Sequence, residues 1–271
     1  ISVAERTLTV IDDDTSGLVF TSTTDFEVIE GNAQQASTNV KLASQPIDNV
    51  TLSFDVDATE VAMVSGELTF TPLNWDQNQP IVFTSVDDDI DDGTQATSIV
   101  VTSSSSDSDY NGLTQVLSCS TEDNDSAGAS VSISSSNVTE GGVSATVSVV
   151  LDSEPVSTVT VSLGVDTADL ALNKTTLTFN AANWDSSQSF TVQANDDSLY
   201  EGAENGTLTV STSASSDSLY SGLTAQTFDF SITDNESLPE ISIADLSVSE
   251  SDSSVSVSAT VSVSPVSGDS I

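Results

Sequence analysis

The sequence predicts an all-β fold arranged as tandem β-sandwiches. Three observations carry this. Apolar residues alternate with Ser and Thr over short runs such as ATVSVVL (145–151) and TFDFSIT (227–233), the two-residue period of a strand with one buried face. No segment carries a convincing helical period. Several unrelated markers recur at a spacing near 110 residues, the signature of repeated units.

The strands follow in order through residues 143–233. VSATVSVVL puts Val143, Ala145, Val147, Val149 and Leu151 on one face, and VTVSL does the same with Val159, Val161 and Leu163. LTF (177–179), FTVQA (190–194), LTVSTS (208–213) and TFDFSIT complete the series. All are rich in Val, Thr, Phe and Ser, with turn residues between them. About seven short strands in roughly 100 residues is the size of an immunoglobulin-like sandwich.

The repeat sets the boundaries. Glu30, Glu140 and Glu250 are 110 apart, Tyr110 and Tyr220 also 110, Trp75 and Trp184 109, and Asp12, Asp123 and Asp234 111. Residues 1–14 match the end of a repeat, 15–125 and 126–236 are complete repeats, and 237–271 match the first third of another, alternating through Val255, Val257, Ala259, Val261 and Val263. The two end pieces together fall well short of one repeat. The chain is therefore expected to be a window from a longer protein.

Charge narrows the partners. Three Lys and Arg stand against 42 Asp and Glu, a net charge of −39, and there is no His. Such a chain repels nucleic acid and acidic membrane surfaces and suits metal cations or basic partners. Overall acidity is also common in proteins of saline environments. No apolar run is long enough to span a membrane. Without His, and with Cys119 in an alternating run that predicts a core thiol, the usual nucleophile–base pairs are missing. Paired carboxylates can cleave glycosides, but these recur in every repeat, so the chain is read as no enzyme. Trp75 and Trp184 are expected to pack against the core or its corner. Tyr110 and Tyr220 stand where a tyrosine pins a sandwich corner through its hydroxyl. Asn-x-Ser/Thr sequons occur at Asn49, Asn124, Asn137, Asn173, Asn205 and Asn235, and those at Asn124 and Asn235 fall inside acidic loops.

The acidic groups sit after strands. In 126–236, Glu140 follows the first strand, Asp166 ends VTVSLGVD, and Asp196, Asp197, Glu201 and Glu204 crowd the loop NDDSLYEGAENG. Asp234 and Glu236 end the last strand. Loops after alternate strands of a sandwich gather at one end. So many carboxylates at one pole repel unless a cation binds, and calcium takes about six to eight oxygen ligands of this kind.

These residues resemble the Calx-beta domains of sodium–calcium exchangers, an integrin beta subunit and many large bacterial surface proteins. The early Glu-Gly, the Asn-Trp strand, the Asp-Asp loop with Glu-Gly-x-Glu, and the terminal Asp-Asn-Asp carry the resemblance. It implies a sandwich of about seven strands, with calcium held in these loops at the end facing the next domain. Carried over by position, the first repeat offers Glu30, Asp57, Asp87, Asp88, Asp92, Asp123 and Asp125. Gln95 stands where the second repeat has Glu204, and Asp92 replaces Glu201. The second repeat is thus expected to bind calcium more tightly, unless Asp89 and Asp91 compensate. The expected function is an extracellular or cell-surface array, structural or adhesive, whose joints calcium rigidifies. Its expected partners are calcium, neighbouring repeats, and other copies or a surface or matrix ligand. A filament or sheath subunit assembling through strand edges, or a calcium-sensing module of a membrane protein, are the alternatives.

Overall fold

The alternating runs do become strands, each burying one face. In a computed structural model, which describes residues 6–9, 11, 13–213, 216–238, 241–242 and 262–263, two units form, Ile1–Ser126 and Ala127–Ile271. Asp12, Glu250, Val255, Val257, Ala259 and Val261 lie outside the described residues.

The described residues of unit 1 form nine strands: β1 (Leu18–Phe20), β2 (Phe26–Ile29), β3 (Gln35–Leu42), β4 (Val50–Asp55), β5 (Val61–Met63), β6 (Leu68–Phe70), β7 (Gln79–Ser85), β8 (Gln95–Ser105) and β9 (Thr114–Glu122). They form two sheets, β1-β3-β7-β5 and β2-β9-β8-β4-β6. Among these strands only β2 and β9 pair in parallel. Their inner faces meet in one core that includes Val40, Leu52, Phe70, Ile81, Phe83, Ile99 and Leu117. Phe26 and Phe83 pack edge to face across it, ring centres 5.5 Å apart.

Unit 2 repeats the plan with β10 (Ala129–Ile133), β11 (Asn137–Thr139), β12 (Ala145–Leu151), β13 (Val159–Val165), β14 (Leu170–Leu172), β15 (Thr176–Phe179), β16 (Gln188–Ala194), β17 (Glu204–Ser213) and β18 (Gln226–Thr233). The sheets are β10-β12-β16-β14 and β11-β18-β17-β13-β15, again with one parallel pair, β11 with β18. A single helical turn, α1 (Ser218–Ser221), precedes β18 and is capped by the Asp217 carboxylate. Further on, β19 (Ile241–Ser242) pairs with β20 (Ser262–Val263). Its register, Ile241↔Val263, copies Val131↔Val149 of β10 and β12. Val149 and Val263 each end an identical Ala-Thr-Val-Ser-Val run, 145–149 and 259–263.

Three features differ from the sequence expectation. Each sandwich has nine strands rather than seven, because the chain switches sheets twice through short pieces, at β1/β2 and β5/β6 in unit 1 and at β10/β11 and β14/β15 in unit 2. β12 begins at Ala145, so Ala145, Val147, Val149 and Leu151 are buried while Val143, in the turn before it, is 91% exposed. Among the described residues, every edge of the two sandwiches is a strand of only three to five residues, which limits pairing with another chain.

The end opposite the acidic loops is closed by the tyrosines. The Tyr110 hydroxyl donates to Ser44 O (2.7 Å) and accepts from Ser44 N (2.9 Å). Tyr220 does the same with Ser153 O (2.6 Å) and Ser153 N (3.2 Å). Beside them the buried carboxylates of Asp107 and Asp217 accept from Ile47 N (2.8 Å) and Val156 N (3.0 Å). Trp75 and Trp184 rest against the core margins, and Cys119 is buried. Among the described residues no helix is long and apolar enough to cross a membrane.

Candidate metal centre

In each unit β2 or β11 ends in a Glu-Gly turn beside the last strand, because the parallel pairing lays the two side by side. Glu30 N donates to Glu122 O, and Glu140 N to Thr233 O. The acidic triplet following the last strand therefore meets the glutamate. Among the described residues three carboxylate triads have oxygens within 4.8 Å of one another: Glu30–Asp123–Asp125, Glu140–Asp234–Glu236 and Asp169–Glu201–Glu204.

The glutamates are only 5% exposed, yet Glu30 Oε2 and Glu140 Oε2 have no hydrogen-bond partner. The same holds for Asp125 Oδ2 and Glu236 Oε2. Buried polar atoms are ordinarily satisfied, so these orphans are costly without a further ligand. Burial pushes Glu30 up to about 7, with Asp88, Asp123, Glu60 and Asp92 adding repulsion. Burial likewise pushes Glu140 up to about 7, helped by Asp234, Glu236, Asp197 and Glu201. Asp125, Glu236, Glu60 and Glu201 are also raised, burial first and neighbouring carboxylates second.

Other carboxylates serve as scaffolding. Asp234 Oδ2 accepts from Glu201 N (2.6 Å) and Gly202 N (2.7 Å), and Oδ1 from Glu236 N (2.8 Å). These bonds, that from Gly202 foremost, hold Asp234 below the usual carboxylate range despite its acidic neighbours. Asp123 accepts from Asp92 N (2.9 Å), Gly93 N (2.6 Å) and Asp125 N (2.7 Å) in the same pattern. The loop after the strand is thus pinned to the exit strand through one aspartate in each unit.

The other expected residues fall as follows. Asp88 and Asp197 each accept from the backbone two residues on, at Ile90 N (2.8 Å) and Leu199 N (2.7 Å). Both stand close enough to raise the buried glutamates. Asp87 and Asp196 accept from the side-chain amides of Asn124 (3.1 Å) and Asn235 (2.7 Å). Asp92 presses on Glu30 and Glu60. Asp57 and Asp166 join no triad. Asp57 is exposed and accepts from Thr59 N and Oγ1, and Asp166 accepts from Thr207 N (2.6 Å). Those bonds hold both below the usual range.

Three residues beyond each of these aspartates stands an acid that the sequence reading passed over. Asp169 completes the third triad, and Glu60 carries a buried oxygen without a partner beside Asp92. The signal was present: DATE (57–60) and DTAD (166–169) recur at the 109-residue offset with an acid at both ends. Among the described residues unit 1 has no counterpart of this triad: Gln95 stands at the place of Glu204, and its amide donates to Asp92 O (2.8 Å).

No protein-family model and no curated protein matches the chain. Solved structures similar to it include the calcium binding domain CBD12 of CALX1.1, 16% identical, covering 73% of this chain and 80% of that one at a TM-score of 0.30. The D0-D1 domain of intimin is 11% identical, covering 80% and 97% at 0.28. Extracellular cadherin domains 1-4 of protocadherin gamma B7 are 12% identical, covering 80% and 49% at 0.31. The chain is all-β, built of immunoglobulin-like sandwiches, and that assignment stands on its own strand pairing.

Proposed function

We propose that the chain is part of an extracellular or cell-surface array whose sandwiches bind calcium at their acidic ends, so that the cation firms the joint to the next repeat. The carrying observation is the buried, unpartnered oxygen of Glu30 and of Glu140, each facing two carboxylates of the strand that leaves the unit. A hard divalent cation with several oxygen ligands fits that donor set, which holds no sulfur or imidazole. The exit triplet is also the start of the connection: Asp125 lies four residues before β10. Neutralising it would order the connecting segment together with the pole. Calcium at a hundredfold its Kd would add about 2.7 kcal/mol per site to folding. The role is structural or adhesive, with neighbouring repeats and a surface or matrix ligand as partners, rather than enzymatic. The short edge strands favour an array over a filament built by edge pairing.

The test is calorimetric calcium titration of the chain, with thermal unfolding in calcium and in chelator. Binding with a clear rise in melting temperature supports the reading. Absence of binding with equal melting temperatures ends it. Limited proteolysis around 126–129 then examines the joint: cleavage no faster in chelator than in calcium would remove the stiffening role.

A further inference from the structure

The middle residue of each exit triplet is neutral. In Asp234-Asn235-Glu236 the outer two are acceptors, while Asn235 Nδ2 carries two N–H donors. One goes to Glu140 O (3.0 Å), at the end of β11. The other goes to Asp196 Oδ1 (2.7 Å), in the loop after β16. Those strands belong to different sheets, so a single amide ties the two acidic loops together across the open end of the sandwich. Beside it, Glu140 and Glu236 each bury a carboxylate oxygen without a partner.

Unit 1 carries half of the device, with Asn124 Nδ2 donating to Asp87 Oδ1 (3.1 Å). Glycine makes room for it in both. Gly31 and Gly141 sit at φ +63° and +60°. A Cβ at Gly141 would come within 3.0 Å of Asp196 Oδ1, and one at Gly31 would collide with the Asn124 amide and approach Asp87 Oδ1 to 3.1 Å. The Glu-Gly, Asp-Asp and Asp-Asn elements are thus three parts of one latch.

We infer that Asn235 and Asn124 are positioning residues, donors that hold the acidic loops at ligand spacing against their mutual repulsion before the cation arrives. This rests on the calcium reading above. An aspartate at either place could not donate and would add charge beside Asp196 or Asp87. A site governed by total charge or ligand number would bind calcium more tightly after Asn→Asp. A latched site binds more weakly.

The experiment compares the full chain with its Asn124→Asp/Asn235→Asp double variant by calorimetric calcium titration. The expected loss of affinity is about tenfold or more, the range for residues that orient metal ligands. A Tyr110→Phe/Tyr220→Phe chain, altered at the opposite ends, is expected to melt lower with unchanged affinity. Equal or tighter binding by the Asn→Asp chain, or an equal loss in the Tyr→Phe chain, overturns the inference. A second readout needs no metal. In chelator, the Asn235 Nδ2 protons are expected to exchange with water far more slowly than those of an unstructured peptide, by nuclear magnetic resonance. Fast exchange there sinks the latch. Slow exchange in a wild-type chain that binds no calcium would keep the latch and discard the calcium reading.

Discussion

The two units share strand order, one parallel closing pair, a tyrosine-pinned end and a buried glutamate at the other. Besides the helical turn α1 of unit 2, they part in the core and at the acidic end. In the core of unit 2, Phe230 is paired across the sheet with Gly206, whereas unit 1 places Cys119 opposite Thr97. A large and a null side chain are exchanged for two middling ones, which keeps the layer filled. At the acidic end, unit 2 adds the triad Asp169–Glu201–Glu204, while unit 1 answers with Glu60, Asp92 and Gln95. The sandwich tolerates both exchanges because neither touches the strand register. Volume is conserved in the core, whereas charge is not conserved at the pole, so the units should differ more in cation binding than in folding.

The core exchange can be broken most severely. Phe230→Ala should destabilise unit 2 by about 3–5 kcal/mol, against about 1 kcal/mol for Cys119→Ala in unit 1. Denaturant unfolding of the two variants reads the gap. Equal losses would mean that the paired volumes do not set core stability. Gly206→Thr alone should also destabilise, since a Cβ there would stand 2.6 Å from Leu170 Cδ1 and from Thr167 Cγ2.

The tyrosine ends should respond alike. Tyr110→Phe and Tyr220→Phe each remove a hydroxyl bonded to one backbone segment, at an expected cost of about 1–2 kcal/mol in either unit. A difference beyond that range would show that α1, present only in unit 2, shares the load.

A pH series sharpens the comparison of the poles. Glu30 and Glu140 titrate near 7 in the fold against an ordinary 4.5. Between those values the unfolded chain loses the proton and the folded chain keeps it. Stability in chelator is therefore highest below about pH 4.5, falls as pH rises to about 7, and stays low above. Asp234 and Asp166 are depressed, so their contribution is lost only in acid, below the ordinary 3.8. Calcium should flatten or reverse the fall between 4.5 and 7, because protons and cation compete for the same oxygens. Melting curves from pH 4.5 to 8, with and without calcium, check this. A metal-free chain that grows more stable with rising pH in that window would contradict the strained poles.

The smallest expected effect is an exchange of the differing ligand. Glu204→Gln should weaken calcium binding in unit 2 several-fold, and Gln95→Glu should strengthen unit 1 by a similar factor. Titration of both variants would bring the units together. If neither changes, the third triad is solvated surface.

Sequence made the longer strands readable because burial on one face imposes the two-residue period, as in β12 and β13. It did not reveal β14, nor that the first strand of each sandwich divides into β1 and β2 or β10 and β11. Strands of three or four residues carry one or two buried side chains each and are held by partners distant in sequence, such as β18 for β11. At the pole, the convergence of Glu140, Asp234 and Glu236 followed from strand ends alone. Asp166 is read as a pole residue because it ends VTVSLGVD, and Asp57 by its matching position. The turn carries the chain one step further and delivers Glu60 or Asp169 instead. The amide donors of Asn124 and Asn235 left no mark beyond their neighbours, because a hydrogen bond across two sheets has no period.

Three basic side chains can pair with at most a few of the 42 acids, so nearly all of this charge is fixed on the protein without an internal answer. There is roughly one excess negative charge for every seven residues. Chains like this, packed side by side in a layer, would act as an ion-exchange gel. Mobile cations would be drawn in, water would follow by osmosis, and the layer would swell in dilute salt and contract when divalent ions replace monovalent ones. The same residues that shape a single pole would then set the hydration of the whole layer.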